Sequence, residues 1–298
     1  MNNQLELIRE LSCGVNEHQP AKLYKAEKML DYVAEFELSY LDIKSLTHSL
    51  AILSEFFDVN AVVAVNNVHV NGVALAANLE EALIKVMDAN PIDVQTSTIA
   101  VSQEVGVDFV RMLTKNNLIV APSFTQEAIE FMKKREIRFV IIKTPLSEYK
   151  QYLADRVFIT PFGTIVEGPN VRELNKDTFK VETKSKPTVE QIEDAVFAWK
   201  LVKYVKSRGV VISKEFKTTA IIQGVQNSAL ELALDYSCDT SKDAVVAVDG
   251  QISVHDLEVA AQGRISAMII PSATPELIKL ADKYQIVILT TGFTNYLD

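Results

Sequence analysis

The chain is poor in the residues that most often carry metal or redox chemistry, with two cysteines and four histidines among 298 residues. Cys13 and Cys238 lie too far apart for a metal-type pair and give no disulfide framework, so free thiols are expected. His18, His48, His69 and His255 form no HExxH pattern, and none has a second nitrogen ligand close by in sequence. A zinc deaminase would need His-x-Glu and Cys-x-x-Cys, and both are missing. Also missing are GxxxxGK[ST], GxGxxG and GxSxG, the marks of a phosphate loop, a dinucleotide fold and a nucleophile elbow. No apolar run approaches the roughly 20 residues that cross a bilayer, so no membrane association is expected. The start, MNNQLELIRE, is acidic and has no apolar core of a secretory signal, which makes the cytoplasm the expected location. A formal charge of −9 speaks against general affinity for nucleic acid or anionic membranes. It leaves room for a local basic pocket that takes a phosphorylated metabolite.

What remains is ample core. Hydrophobic residues make up 48% and charged residues 23%, the balance of a soluble globular protein. An internal echo organises it. Residues 118–132, LIVAPSFTQEAIEFM, reappear as 267–281, AMIIPSATPELIKLA. Pro122, Ser123, Thr125 and Glu127 recur as Pro271, Ser272, Thr274 and Glu276 at one constant offset. Each copy reads as a buried strand, a turn and a helix capped by Thr125 or Thr274, with an apolar strand after it.

Upstream of the first copy, the patterning predicts a strand over 61–65, a Gly-containing loop, a helix over 79–89, a strand over 98–101 and a helix over 107–114. The second half offers strands over 210–212, 219–222 and 244–248 and helices over 228–236 and 256–263. Between the halves, 145–186 reads as a helix followed by strand-like pieces. Such alternation implies an α/β fold with largely parallel sheets, duplicated as a pseudo-symmetric pair of three-layer units. The first unit, with an N-terminal segment, is placed at 1–160, the connection at 161–187 and the second unit at 188–298.

Residues 187–211, PTVEQIEDAVFAWKLVKYVKSRGVV, carry the densest local information. Thr188 and Gln191 have capping-box spacing. Ile192, Ala195, Val196, Trp199 and Val202 share one face, and Phe197, Leu201 and Tyr204 a second, which predicts packing on two sides. Lys200, Lys203 and Lys206 fill the remaining strip, expected to be solvated, with a rim for an anionic ligand as the alternative. Gly209 is expected to end the helix.

The same segment resembles the FAWK-x-x-K-[FY]-V-K-S-N motif of the transformylase domain of the AICAR transformylase/IMP cyclohydrolase family. LIVAPSFTQEAIEFM, ELSY at 37–40, CGVNEHQ at 13–19 and the closing TTGFTNYLD support the resemblance, which runs along essentially the whole chain. It implies a duplicated cytidine-deaminase-like fold and a homodimer with sites near the subunit interface. It also implies a reaction, formyl transfer from 10-formyltetrahydrofolate to the amine of AICAR, that needs a base for the amine proton and donors for the oxyanion. A nucleotide-like or folate ligand would follow.

In the family an adjacent Lys-His pair does that work; here the matching positions are Asn66 and Asn67. A carboxamide donates hydrogen bonds but is no general base near neutral pH. His69 falls on a family asparagine and is either a relocated base or a structural histidine in a loop. The substrate-gripping Arg-Tyr corresponds to Ser12 and Cys13, with Asn16 and His18 retained beside them. A family glycine falls at Thr96, an aspartate at Asn117 and an asparagine at Arg208. One phosphate-binding arginine becomes Thr294, another falls near Ser228 or Ala229, and the SDAFFPF segment becomes 248–254 without its aromatics. Neutral hydroxyls bind phosphate more weakly than guanidinium does. Two readings stay open: a transformylase homologue with impaired catalysis, or an active enzyme with a rearranged site that uses His69 with Lys217 or Arg208.

Overall fold

In the computed structural model, which describes residues 6–174, 178–223 and 229–297, the apolar runs assemble into one twelve-stranded sheet with helices on both faces. The described chain enters through a hairpin of β1 (Leu7–Leu11) and β2 (Ala21–Tyr24), followed by β3 (Tyr32–Ala34) and α1 (Tyr40–Leu53). Ser39 caps α1 through a reciprocal box with Asp42. The first copy then runs β4 (Ala61–Asn66), β5 (His69–Leu75), α2 (Leu79–Ala89), β6 (Thr98–Val101), α3 (Val107–Arg111), β7 (Leu118–Ala121), α4 (Gln126–Arg135) and β8 (Arg138–Ile142). A hairpin of β9 (Arg156–Thr160) and β10 (Gly163–Glu167) and the short β11 (Lys180–Val181) make the connection. The second copy is α5 (Val189–Val202), β12 (Val210–Lys214), β13 (Lys217–Ile222), α6 (Ala229–Ser237), β14 (Val245–Val248), α7 (Val254–Gln262), β15 (Ala267–Ile270), α8 (Pro275–Tyr284) and β16 (Val287–Thr290).

The sequence echo is a topological repeat. β4 lies antiparallel between β5 and β6, and β6, β7 and β8 run parallel. β12 lies antiparallel between β13 and β14, and β14, β15 and β16 run parallel. Short antiparallel strands close both edges, β3 on β8 and β11 on β16. The α/β class and its duplication are as the patterning implies. The two sheets, however, are one: β5 and β13 meet edge to edge at a single register pair, Ala74 with Lys217. Thr218 reinforces the seam, its hydroxyl accepting from the Val73 N–H at 3.0 Å and donating to the Val73 carbonyl at 3.2 Å.

On one face α1 and α5 share a core drawn from both copies, with Leu50, Ile52, Phe197, Trp199 and Leu201 over Val63 and Val211. On the other face each copy keeps its own cluster, around Leu83, Phe109 and Met132 or around Leu230, Leu257 and Leu277. Each fully buried side chain of this size contributes about 1.5–3 kcal/mol.

Several expectations are corrected. α5 has the Thr188–Gln191 box and both buried faces, but it ends at Val202, well before Gly209. Tight bonds from Tyr204 N to Leu201 O (2.9 Å) and Val205 N to Val202 O (3.1 Å) close it. Gly209 serves close packing instead, since a Cβ there would sit 3.0 Å from Val205 Cγ1. The lysine strip is not a solvated face. Lys203 is 8% exposed and bonds the Glu55 carboxylate, and Lys200 donates to the Glu55 carbonyl at 3.0 Å; Lys206 alone of the three is exposed. The supposed Gly-containing loop is strand β5, where Gly72 lets α2 approach; a Cβ would lie 3.0 Å from Val86 Cγ1. The helix expected over 107–114 stops at Arg111, because Thr114 is drawn into a turn by Asn117. The helix expected over 228–236 is α6; Ser228 lies outside the described residues.

Candidate functional site

Asn66 is the last residue of β4, and Asn67 and Val68 make the two-residue turn that pairs Asn66 with His69. Asn67 takes a φ of 58°, in the left-handed region that asparagine tolerates better than most residues. Its backbone N–H donates to Ser45 Oγ of α1 at 2.8 Å, and its carboxamide oxygen is buried without a partner among the described residues. Asn66 Nδ2 donates to Thr96 Oγ1 at 3.3 Å, so the structure brings these two candidate positions together. Behind them Asn71 Nδ2 donates to Ser97 Oγ at 2.9 Å.

Asn117, 1% exposed, is fully occupied in scaffolding. Its Nδ2 donates to the carbonyls of Val94 (2.8 Å) and Ser97 (2.9 Å), and its Oδ1 accepts from Thr114 N (2.9 Å). It fixes the 3-10 turn Asp93–Thr96 that presents Thr96.

His69 is not in a loop after a strand; it is the exposed first residue of β5. It stands on a cavity of about 280 Å³ between the copies, with Asn71 and Asp93 on one side and Thr219, Gln223 and Tyr236 on the other. Gln223 Nε2 meets His69 Nδ1. Among the described residues no lysine or arginine lines this cavity, and neither Lys217 nor Arg208 reaches it. Burial, and then the Asp93 charge, push the Tyr236 phenol up.

The remaining candidates lie on other segments. Ser12, Cys13, Asn16 and His18 occupy the turn between β1 and β2, and all but Cys13, which is half-buried, are exposed. That turn is self-contained: Gly14 N donates to Gln19 O at 2.7 Å and Asn16 Nδ2 to Gln19 Oε1 at 2.9 Å. Arg208 lies beside the C-terminal segment that carries exposed Thr294, because Ser207 N donates to Leu297 O and Leu297 N to Ser207 Oγ, each at 2.9 Å. Next to them the buried Asp249 accepts from Ser207 Oγ at 2.8 Å on Oδ2, while Oδ1 has no hydrogen-bond partner among the described residues. Burial raises its pKa against the opposing hydrogen bond from Ser207. Ala229 opens α6, and the possible match at Ser228 lies outside the described residues.

Sequence reasoning missed a second polar centre. Glu55, in the 3-10 turn Ser54–Phe56, gathers Lys203, Tyr204 Oη (2.8 Å) and Lys150 (3.6 Å) around one buried carboxylate. Burial alone would raise its pKa, but the Lys203 charge and the hydrogen bonds from Lys203 and Tyr204 outweigh that and hold it low. The only local signal was lysine on a helix with two apolar faces, which leaves little room for solvent. Among the described residues no cluster of three or more His, Cys, Asp and Glu side chains could hold a metal ion, and no helix is long and apolar enough to cross a membrane.

The family description of the AICARFT/IMPCHase bienzyme matches residues 1–235. The chain belongs to that family. The bifunctional purine biosynthesis protein PurH of Acetivibrio thermocellus is 32% identical over 310 residues, covering 98% of this chain and 59% of the relative. Those of Thermoanaerobacter sp. and Bacillus cereus are 30% and 29% identical with the same coverage. The chain thus spans 59% of the length of these curated relatives.

Proposed function

We propose that this chain is a transformylase-type scaffold whose catalysis is impaired, and that it does not transfer formyl groups at an enzyme-like rate. The observation that carries the reading is the pair of carboxamides at Asn66 and Asn67. The first is tied to Thr96 and the second to the turn, and neither group takes a proton near neutral pH. The cavity beside His69 carries Asp93 and, among its described lining, no cation, so it does not fit a phosphate-bearing substrate. No step of formyl transfer follows from it. A formyl-transfer assay with 10-formyltetrahydrofolate and AICAR, run beside a thermal-shift screen with both, tests the proposal. Turnover in the ordinary range of about 1–10³ s⁻¹ would overturn it.

The alternative, an active enzyme with His69 as relocated base, is favoured by the exposure of His69 at that cavity. It requires that any measured turnover be lost in His69→Ala.

A cytoplasmic homodimer without nucleic-acid partners belongs to the same proposal. Its support is the β9–β10 hairpin, where Ile159 and Phe162 are 86% and 101% exposed beside exposed Val157 and Ile165. The formal charge of −9 disfavours nucleic acid. Light scattering on the intact chain and on an Ile159→Lys/Phe162→Lys variant tests the assembly, and an unchanged monomer in both would remove it.

A further inference from the structure

A second cavity, of about 180 Å³, opens between the start of the Ser54–Phe56 turn, the C-terminal end of α5 and the segment Arg172–Leu174. Four cationic side chains line it, Lys150, Arg172, Lys200 and Lys203, against two carboxylates, Glu55 and Glu173. The carboxylates are already engaged. Glu55 takes Lys203 and Lys150, and Glu173 takes Lys150.

Arg172 and Lys200 are left with no carboxylate partner among the described residues. The Arg172 guanidinium lies 4.1 Å from the Phe293 ring centroid, and Lys200 Nζ lies 5.2 Å from that of Phe56 while donating to the Glu55 carbonyl. Each keeps N–H groups to spare, since a guanidinium has five and an ammonium three. Trp199 supplies the independent observation. It lines the same cavity, is 1% exposed, and its indole N–H has no acceptor among the described residues. Buried N–H groups are almost always paired, so a donor with no described acceptor, on a side chain that lines a cavity with two cations lacking a described carboxylate partner, points to an acceptor with negative charge. The volume equals roughly six waters at about 30 Å³ each, enough for a phosphate group with part of its hydration.

We propose that this cavity binds a small oxyanion, a phosphate or phosphomonoester group, held by Arg172 and Lys200 and accepting from the Trp199 indole N–H. The site is separate from Asn66, Asn67 and His69, and it does not rest on the formyl-transfer reading.

Trp199 is the sole tryptophan of the chain, so its fluorescence reports on this cavity directly. The intact protein is titrated at constant ionic strength with inorganic phosphate, with ribose 5-phosphate in a parallel arm and sodium chloride as control. The expected result is a saturable change in Trp199 emission with at least one phosphate probe. Affinity should fall at least tenfold in Arg172→Met and in Lys200→Met, and be retained in Lys200→Arg and in the distant Lys115→Met. Circular dichroism on each variant verifies the fold, and exposed Arg172 provides a substitution that leaves the core intact. Tighter saturation by ribose 5-phosphate identifies a phosphomonoester; equal or tighter saturation by phosphate identifies the free anion. No saturable change with either probe, or a change that persists in both methionine variants, overturns the proposal.

Discussion

Lys203 and Glu55, 148 residues apart in sequence, form a buried ion pair that ties the end of α5 to the turn after α1. Their side chains are 7% and 3% exposed, and the Tyr204 hydroxyl completes the carboxylate's bonding at 2.8 Å. Breaking such a pair from one side leaves an uncompensated buried charge. Glu55→Gln should therefore cost about 3–5 kcal/mol, read as a lowered midpoint in urea. The double variant Glu55→Gln/Lys203→Met should recover most of that loss. Additive losses in the double variant would show that the two groups are not coupled.

Acid stability should carry two signatures. His48 on α1 has its pKa lowered from 6.5 to about 4, first by burial and then by the charges of Arg156, His69 and Lys44, against a backbone hydrogen bond with Tyr204. Below pH 6.5 the unfolded chain takes up this proton before the folded one does, so stability falls between pH 6.5 and about 4. The loss is on the order of 3 kcal/mol. His48→Gln should flatten that limb in denaturation curves taken at several pH values. Glu55 adds a second loss lower down. Its folded pKa lies below 4.5, so its contribution is complete above 4.5 and disappears as pH falls through the folded value.

Asn117→Asp should destabilise. A carboxylate there would face the Val94 and Ser97 carbonyls that now accept from Nδ2, with no donor to offer them. A cost of about 2–4 kcal/mol is expected, measurable as a drop in Tm, although the family resemblance places aspartate at this position. An unchanged Tm would mean that the turn 93–97 rearranges around the acid.

Asn66→Lys with Asn67→His restores the Lys-His pair implied by the resemblance. Formyl transfer should stay at the wild-type level, because Ser12, Cys13 and Thr294 still stand at the positions where the resemblance implies an arginine or tyrosine that grips the substrate. A hundredfold rise in the same assay would show that the pair alone was missing.

The legible parts of the fold were those decided locally. Strand β6, helix α2 and the first three residues of β12 stood out as apolar runs or apolar stripes between turn residues, and the caps at Thr125, Thr188 and Thr274 satisfy nearby N–H groups. What escaped depends on a remote partner. Lys203 reads as surface until Glu55 arrives from another element, and Gly72 reads as a loop until α2 packs on it. The candidate site divides in the same way. The chemistry of Asn66 and Asn67 follows from residue type, whereas the occupation of Asn117 by two carbonyls and the lack of lysine or arginine among the described residues lining the His69 cavity required the folded chain.

The seam between β5 and β13 has a consequence for the strand edges of such a duplicated chain. A single copy would end its sheet at β5, leaving a bare strand edge of unpaired N–H and C=O groups that invites stray pairing. In the duplicated chain each copy's β-hairpin blocks the other's edge, with Thr218 holding Val73 and Leu75 N donating to Phe216 O at 2.9 Å. Fusion thus makes each half the other's permanent guard against aggregation, and a half made on its own would carry an adhesive edge.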